Sequence, residues 1–494
     1  MLTLVTTPDR TDALQRVAAS APPAMGGMRF RETPAPHAED ATDVVLDATG
    51  LSPALDWRDT RAPWAFTPIP LDAAGIAAMV AITQYEWEQA AELVPALRAD
   101  LVHVQALTEG FVAEGHAIEG RDWAACHNRG VLAHYGAMHD GDLARAVQEY
   151  RTAIAAAPSP VHAAWTTRQL GTLLLDLDRA DEAAQALATV RAEGLPTAGR
   201  EAMAALALQV AMARLSEHTP RPELEQLLGM AVRVREACDA RKAPLAGALV
   251  RLDEATLLRQ LDRHGDAIAA ADAARATCVE EESTELVATC DMRLGELWHA
   301  WAHAGVGDGW KKALAAFQEA LKVFTKEAAP VAFASIHHEL AVVYALMPAA
   351  EQQRPILLAL SGGSFEEALA FYTEERHPLM HARIRTNYGN AMLKCPESRL
   401  RDPVARGVDE YRRALEVGEG HFEAEERGLV MLNLLEGLSR LGWPDGDTAA
   451  EQARWTELRE VAAQASALPL SGRLRHELLE RLAALEAVAP VVTA

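Results

Sequence analysis

A two-part pattern recurs along this chain, and it constrains the fold more than any other feature of the sequence. Each copy opens with a large residue followed by a small one, and a later helical segment carries a small residue four positions before a large, usually aromatic one. The opening pairs are Leu170-Gly171, Leu294-Gly295, Leu340-Ala341 and Tyr388-Gly389, and the later pairs are Ala183/Leu187, Ala313/Phe317, Ala368/Tyr372 and Gly407/Tyr411. Small residues let two helices approach closely, and large ones fill the remaining space. The pattern predicts stacked helical hairpins and an all-α fold.

The segment "GDLARAVQEYRTAIAAAP", residues 141–158, has the form of one such second helix. Its apolar residues recur at helical spacing, as at Val147, Tyr150 and Ile154, and Pro158 provides a stop. We expect a tight turn at Gly141-Asp142 before it. An amphipathic helix cannot bury its apolar stripe alone, so the same arrangement should recur along the chain. We expect Tyr150, Phe317, Tyr372 and Tyr411 to be buried between helices.

These motifs resemble the tetratricopeptide repeat (TPR) family, whose 34-residue unit carries a Leu-Gly pair, a later alanine, an aromatic residue and a closing proline. The resemblance implies a right-handed α-solenoid. Successive units here are 36 to 48 residues apart, beginning near 170, 206, 254, 294, 340 and 388. Inserts such as "GVGDGW" and "MPAAEQQRPILLALSGG" are expected in turns. The longer units are similar to degenerate bacterial repeats that accompany caspase-like CHAT peptidases, although no peptidase motif is present.

The chain changes character near residue 72. Paired prolines and glycines interrupt residues 1–72, and Trp57, Trp64 and Phe66 are too apolar to be left in water. We interpret this part as an irregular strap on the helical body, with at most one short strand in the first 60 residues. The alternative is a tail whose "DWRDTRAPW" docks on a partner. Leading helices are expected over 73–126, the repeat array over 127–468, and a capping helix and tail over 469–494.

Charge and cysteine usage limit the partners and the compartment. The chain has 47 basic and 70 acidic residues, a net charge of −23, which disfavours nucleic acid and anionic lipid as partners. Five scattered cysteines without a C-x-x-C pair indicate free thiols in a reducing compartment. The N-terminus lacks a signal peptide pattern, and no apolar run approaches the length of a membrane span. We therefore expect a cytoplasmic protein outside the membrane.

Catalytic and metal motifs are weak in this sequence. Cys126 and His127 are adjacent and would point in different directions on a helix, so they are interpreted as structural. Two histidine pairs have i,i+4 spacing, His299/His303 and His377/His381, but no further ligand accompanies either pair in the sequence. "HHEL" at 337–340 lacks the second histidine of a zincin motif. "SGGS" at 361–364 lacks the lysine of a phosphate loop and is interpreted as a helix-opening turn. We expect no catalytic residue, no metal and no cofactor.

A stack of repeats offers a concave face that suits a peptide or helix of a partner protein. In the TPR family the groove is lined by first-helix residues around the Leu-Gly pair. The corresponding positions here are Trp165, Arg168, Glu296, His299, His338, Arg383 and Asn390. Arg383 and Asn390 are seven apart on one helix and share a side, where they suit a carboxylate and a peptide backbone. Each position is also compatible with a solvated helix surface.

Three functional classes remain open at this point. The first is a non-catalytic scaffold or adaptor that binds a protein or peptide. The second is a regulator that encloses a small ligand or signalling peptide, and the third is an enzyme whose site the sequence does not reveal. The first class follows most directly from the repeat pattern. Self-assembly into a homo-oligomer is compatible with all three.

Overall fold

A computed structural model of the 494-residue chain describes most of the helical part and portions of the N-terminal part. The described residues are 2–6, 15, 28–32, 43–46, 51–53, 55, 57, 63–67, 69–83, 86–109, 118–136, 140–216, 219–305, 308–394, 403–441 and 448–488. They belong to two compact units, Met1–Ala243 (unit 1) and Pro244–Ala494 (unit 2), and each unit is described separately below.

Unit 1 begins with a small mixed β-sheet. Its strands are β1 (Leu2–Thr6), β2 (Met28–Glu32), β3 (Asp43–Leu46) and β4 (Leu51–Pro53), in the spatial order β2-β1-β3-β4. Strand β1 pairs in parallel with both β2 and β3, with Leu4 opposite Phe30 and Val44, and β3 pairs antiparallel with β4. The expectation of at most one short strand was therefore wrong. The strands are only three to five residues long, and β1 pairs with β2 and β3 over long sequence separations, so no local periodicity revealed them.

The rest of unit 1 is helical. Its helices are α1 (Ala73–Thr83), α2 (Trp87–Leu93), α3 (Arg98–Thr108), α4 (Trp123–Tyr135), α5 (Asp140–Ala155), α6 (Pro160–Asp176), α7 (Ala180–Ala188), α8 (Thr197–Ala213) and α9 (Arg221–Ala240). Helices α4/α5 and α6/α7 pack as hairpins, and α8 contacts both α6 and α7. We call α4, α6 and α8 the first helices of unit 1.

Unit 2 is helical throughout its described residues. Its helices are α10 (Pro244–Gln260), α11 (His264–Glu280), α12 (Thr284–His303), α13 (Gly309–Ala320), α14 (Pro330–Leu346), α15 (Arg354–Phe371), α16 (Pro378–Leu393), α17 (Pro403–Val417), α18 (Ala424–Arg440), α19 (Thr448–Ala467) and α20 (Gly472–Val488). We call α10, α12, α14, α16 and α18 the first helices of unit 2. Each of them contacts the next one in this series, so the five form one layer. Helices α11, α13, α15 and α17 each pack on two successive first helices and form the other layer.

Local sequence explains where many of the first helices begin. Helices α6, α10, α14 and α16 start at Pro160, Pro244, Pro330 and Pro378. Proline suits the first helical position, because its fixed φ is already helical and its missing N–H has no partner there in any residue. The prolines thus mark the start of four of the first helices.

The predicted contacts between small residues of one helix and large residues of its partner helix, which we call seams, hold the hairpins together. A Cβ placed on Gly295 would lie 2.5 Å from the ring of Phe317, and one on Gly389 would lie 2.6 Å from the ring of Tyr411. The predicted burial of the four aromatics is confirmed, with Tyr150, Phe317, Tyr372 and Tyr411 at most 7% exposed. Truncating a buried aromatic of this size to alanine costs about 3–5 kcal/mol of stability, because the buried surface is lost and a cavity is left. The all-α, TPR-like repeat fold is confirmed for the described chain from Ala73 onward.

Two local expectations were wrong. Helix α5 begins at Asp140, so Gly141 and Asp142 lie in its first turn and not in a tight turn before it. Residues 361–364, "SGGS", lie inside the 18-residue helix α15. There the Ser361 hydroxyl donates a 2.8 Å hydrogen bond to the Ala341 carbonyl, which satisfies a polar group in the helix interior. None of the helices in the described ranges combines the length and apolar character needed to cross a lipid bilayer.

Candidate functional site: the first-helix faces

Polar side chains on the first helices of unit 2 form a ladder from one helix to the next. His299 Nδ1 on α12 lies 3.1 Å from Glu339 Oε2 on α14. Asn387 Nδ2 on α16 lies 2.9 Å from His338 Nε2 on α14, so the amide donates to the imidazole. We call this set the first-helix ladder; its members are Asp253, Arg259, Arg293, Glu296, His299, His338, Glu339, Arg383, Asn387, Asn390, Glu426 and Asn433.

The ladder continues from α16 to α18. Arg383 Nε lies 2.6 Å from Glu426 Oε1, and the two side chains are 46% and 26% exposed. Asn390 Oδ1 accepts hydrogen bonds from Tyr411 Oη at 2.8 Å and from Asn433 Nδ2 at 3.0 Å. Arg383 on α16 thus pairs with a glutamate of the neighbouring first helix α18.

Two ladder carboxylates, Asp253 on α10 and Glu296 on α12, are partly shielded from solvent. Burial raises the pKa of Asp253 to about 6, while Arg293 lowers it and Glu254 raises it further. Burial also raises the pKa of Glu296, although Arg293 Nη1 lies 2.6 Å from its Oε2. Arg293 therefore serves two carboxylates at once.

The middle of the ladder is electrostatically balanced. Burial raises the pKa of Glu339, but its hydrogen bond with His299 and the nearby His338 and Arg259 outweigh burial, so the net shift is downward. Burial lowers the pKa of His338, with Glu339 opposing the shift. The Glu339 carboxylate is consequently ionised and the His338 imidazole neutral near pH 7.

Large apolar side chains remain exposed beside the ladder. Leu249, Val331 and Leu429 are 45%, 57% and 45% exposed. Leu249 lies four residues before Asp253, Val331 seven before His338, and Leu429 four before Asn433, so helical periodicity puts each on the ladder side of its helix. The face therefore combines polar groups with isolated apolar contacts.

In unit 1 the equivalent face is covered by the chain itself. The extended residues 63–67 lie along α3 and α4. They are part of the N-terminal strap expected over 1–72, and from here on the strap means residues 63–67 alone. Asn128 on α4 accepts from Ala65 N at 2.8 Å and donates through Nδ2 to Ala65 O at 2.7 Å. One side-chain amide thus satisfies both backbone groups of a single strap residue, as a neighbouring strand would.

Asp100 on α3 holds the strap on the other side. Its Oδ1 accepts from Trp64 Nε1 at 3.0 Å, and its Oδ2 accepts from Thr67 N at 2.9 Å. The Trp64 ring is 5% exposed and stacks on His103 with ring centroids 5.0 Å apart. Trp57, also buried, packs against Gly199 of α8.

His127 connects the strap to the core beneath it. Its Nε2 lies 2.9 Å from Pro63 O, and its Nδ1 lies 3.0 Å from Thr166 Oγ1. Because a carbonyl can only accept, Nε2 carries the proton and Nδ1 accepts from the threonine hydroxyl. Burial lowers the pKa of His127 to about 4, with the Pro63 hydrogen bond opposing the shift. The imidazole is neutral at physiological pH.

This arrangement corrects one of the seven expected groove residues. Trp165 is 1% exposed and stacks on His127 with ring centroids 4.5 Å apart, so it belongs to the core under the strap. Arg168, on the same helix, is half-buried and stays a prediction. The other five, Glu296, His299, His338, Arg383 and Asn390, are brought together in the first-helix ladder. Sequence reasoning missed Asn128 and Asp100, whose strap contacts span 63 and 33 to 36 positions.

Cysteine chemistry is unfavourable in the described part of the chain. Cys126, Cys238, Cys278 and Cys290 are buried free thiols. Cys126 accepts from Arg129, whereas the neighbouring His127 engages Thr166 and Pro63, so the two do not form a nucleophile and base. Cys278 and Cys290 have sulfurs 4.0 Å apart, and burial raises the pKa of Cys290 to about 12, which keeps it unreactive. Cys395 lies outside the described residues.

The two histidine pairs behave differently. His299 Nε2 and His303 Nε2 lie 3.2 Å apart on α12. In the other pair, His381 Nδ1 donates to Tyr372 O at 2.7 Å and Nε2 accepts from Arg385, while the His377 ring stacks on Phe371. Within the described residues, no three His, Cys, Asp or Glu side chains converge as a metal-binding group.

Comparisons with known proteins give limited information. No protein-family model matches the sequence, and no curated protein matches it. Among solved structures, yeast Tom70 is 11% identical with a TM-score of 0.29, over 84% of this chain and 88% of that one. A circular tandem repeat protein is 16% identical with a TM-score of 0.20, over 83% and 93%. Similarity this low carries no argument, so the fold assignment rests on the helices and seams of this chain. The likeness to CHAT-associated repeats has no counterpart among these matches.

Proposed function

We propose that the first-helix face of unit 2 binds an extended segment of a partner protein, and that the chain acts as a non-catalytic scaffold or adaptor. One observation carries this proposal. In unit 1 the same side of the same kind of helix holds the strap, chiefly through hydrogen bonds between side chains and the strap backbone. The chain itself thus provides an example of how its first helices hold an extended segment.

The chemistry available in unit 2 suits the same task. Asn387, Asn390 and Asn433 are amides that offer both a donor and an acceptor, as Asn128 does in unit 1. Leu249, Val331 and Leu429 offer apolar contacts at intervals along the layer. Hydrogen bonds to the backbone of the partner segment supply affinity with little dependence on its sequence. The exposed apolar residues of the face select which side chains of that segment fit.

We assign Glu296, His299, His338, Arg383 and Asn390 to the contact surface. Each already has a partner within the chain, so binding exchanges an existing hydrogen bond or ion pair for one with the partner protein. Exchange of this kind favours specificity over raw affinity. Buried free thiols are consistent with a cytoplasmic setting for such an adaptor.

A peptide library tests the proposal and does not require the natural partner to be identified first. Random 12-residue peptides would be selected on the full chain, and their affinities measured for the wild type and for the double variant Val331→Arg/Leu429→Arg. Both positions are largely exposed, so the substitutions should leave the melting temperature within a few degrees. We expect at least a tenfold loss of affinity, because a charged side chain replaces an apolar contact at two points.

The matched control is Ile356→Arg/Leu479→Arg. These residues are 63% and 58% exposed; Ile356 lies on α15 in the other layer, and Leu479 lies on α20, which comes after α18 in the chain and is not one of the five first helices. We expect the control to bind the selected peptides like the wild type. Equal losses in the two double variants, or a selection that enriches no peptide, would contradict the proposal.

A further inference from the structure

We propose that His299 and His303 form a binding site for a divalent transition-metal ion of the Zn²⁺ or Cu²⁺ type at the C-terminal end of α12. The inference is independent of the proposed partner binding. It rests on the positions of the two Nε2 atoms, on the hydrogen bond that orients one imidazole, and on the contrast with the second histidine pair.

The separation of the two nitrogens fits a shared metal ion. Zn²⁺ binds imidazole nitrogen at about 2.0–2.1 Å, so two ligands at tetrahedral or right-angled positions lie about 2.8–3.4 Å apart. The observed Nε2–Nε2 distance is 3.2 Å. The two rings, with centroids 5.0 Å apart, already converge as the two ligands of one ion would.

Glu339 orients the first ligand. Its Oε2 lies 3.1 Å from His299 Nδ1, so Nδ1 carries the proton and Nε2 accepts a hydrogen bond from His303 Nε2. A bound metal ion would take the place of that shared proton. A carboxylate that holds the far nitrogen of a metal-ligating histidine is the usual second layer of such sites, where it fixes the tautomer and raises the basicity of the ligand. Glu339 is a positioning residue in this site.

Access and surrounding charge are compatible with a bound cation. His303 is exposed and His299 is 12% exposed, so solvent reaches the pair. Glu296 on the same helix and Glu339 on α14 supply negative charge, whereas Lys394 at the end of α16 opposes it. Two protein ligands leave at least two coordination positions for solvent, which predicts affinity below that of a closed structural site.

The pair His377/His381 has the same i,i+4 spacing and does not form a site. Both nitrogens of His381 are engaged, Nδ1 with Tyr372 O and Nε2 with Arg385. The chain therefore contains its own control, in which identical sequence spacing lacks the converging nitrogens.

The test is calorimetric titration of the untagged full-length chain with Zn²⁺, Cu²⁺ and Mg²⁺. We expect one Zn²⁺ per chain lost in His303→Ala, tighter binding of Cu²⁺, and no comparable binding of Mg²⁺, which prefers oxygen ligands. Glu339→Gln should weaken Zn²⁺ binding about tenfold without abolishing it. His377→Ala should bind Zn²⁺ like the wild type.

Fluorescence gives a second readout that is tied to position. Trp310 lies within 5.5 Å of both imidazoles by ring centroid, so Cu²⁺ should quench its emission. We expect the quenching to decrease in Trp310→Phe and to disappear in His303→Ala, with His377→Ala unchanged. Absence of Zn²⁺ and Cu²⁺ binding in the wild type overturns the proposal. So do equal losses in His303→Ala and His377→Ala, or Mg²⁺ binding as tight as that of Zn²⁺.

Discussion

The first helices of unit 1 and those of unit 2 carry comparable polar side chains, yet within the described residues α4 of unit 1 holds a segment of the chain and the first helices of unit 2 hold none. Asn128 on α4 and Asp100 on the neighbouring α3 bind the strap backbone, and the Trp64 side chain of the strap is buried. In unit 2 the ladder residues instead bond to one another between helices, and Leu429 stays exposed. The same type of surface therefore serves folding in unit 1 and is left open among the described residues of unit 2.

The largest expected difference between the two faces concerns their apolar contacts. Trp64→Ala should lower the free energy of unfolding by about 3–5 kcal/mol, because it removes a buried indole and leaves Asp100 without one hydrogen bond. Leu429→Ala should change it by no more than about 0.5 kcal/mol, since that side chain is already largely exposed. Urea unfolding of both variants measures the difference. Equal effects would contradict the distinction between a covered and an open face.

The pH dependence of unit 1 should follow His127. The unfolded imidazole takes up a proton at its ordinary pKa of 6.5, whereas the folded one does so only at about 4. The folded state therefore loses stability as the pH falls from about 6.5 to 4. The loss reaches about 3 kcal/mol near pH 4.

The measurement for His127 compares urea unfolding at pH 7 and pH 5 in the wild type and in His127→Gln. Glutamine keeps a donor and an acceptor but does not titrate in this range. We expect the wild type to lose about 2 kcal/mol more than the variant over this interval. Identical losses would show that His127 is protonated in the folded state at pH 5.

The two asparagine positions give a smaller contrast. Asn128→Ala leaves the buried N–H and C=O of Ala65 unpaired and should cost about 2–3 kcal/mol. Asn433→Ala removes one hydrogen bond to Asn390 on a half-buried surface and should cost about 1 kcal/mol or less. Thermal unfolding of the two variants, checked with urea, distinguishes these outcomes. A larger loss in Asn433→Ala would mean that the ladder in unit 2 is structural.

The smallest effect is expected at Arg383. Its ion pair with Glu426 is substantially exposed, so Arg383→Ala should lower stability by less than about 1 kcal/mol. Together with Asn390→Ala it should still weaken the binding of peptides selected on the full chain. A double variant that binds those peptides normally would remove α16 from the contact surface.

The sequence predicted those features of the fold that depend on helical periodicity and on repeated pairs of small and large residues. The hairpins and the buried Tyr150 and Tyr411 follow from helical spacing and from glycines that accept an aromatic ring. The first helix paired with α5 was missed, although Gly130, against which Tyr150 packs, precedes it by 20 positions and Gly389 precedes Tyr411 by 22. The two intervals differ by only two positions, and this similarity could have identified α4.

What the sequence did not reveal depends on contacts between distant residues. The strap bonds of Asn128 span 63 positions, and no periodic signal links Pro63–Thr67 to α4. Trp165 was placed on the correct side of its helix, but a sequence cannot show that this side is already covered. The two histidine pairs have identical spacing, and only the positions of Glu339 and Arg385 distinguish them.

Hydroxyl-radical footprinting with mass spectrometry tests the central claim most directly, because it reports the solvent exposure of individual side chains in both units at once. In the free chain we expect Trp64 and Trp165 to be protected and Val331 and Leu429 to be oxidised. Addition of a peptide selected on the full chain should protect Val331 and Leu429 and leave Leu479 unchanged. Rapid oxidation of Trp64 in the free chain, or protection of Leu479 together with Leu429, would contradict the account.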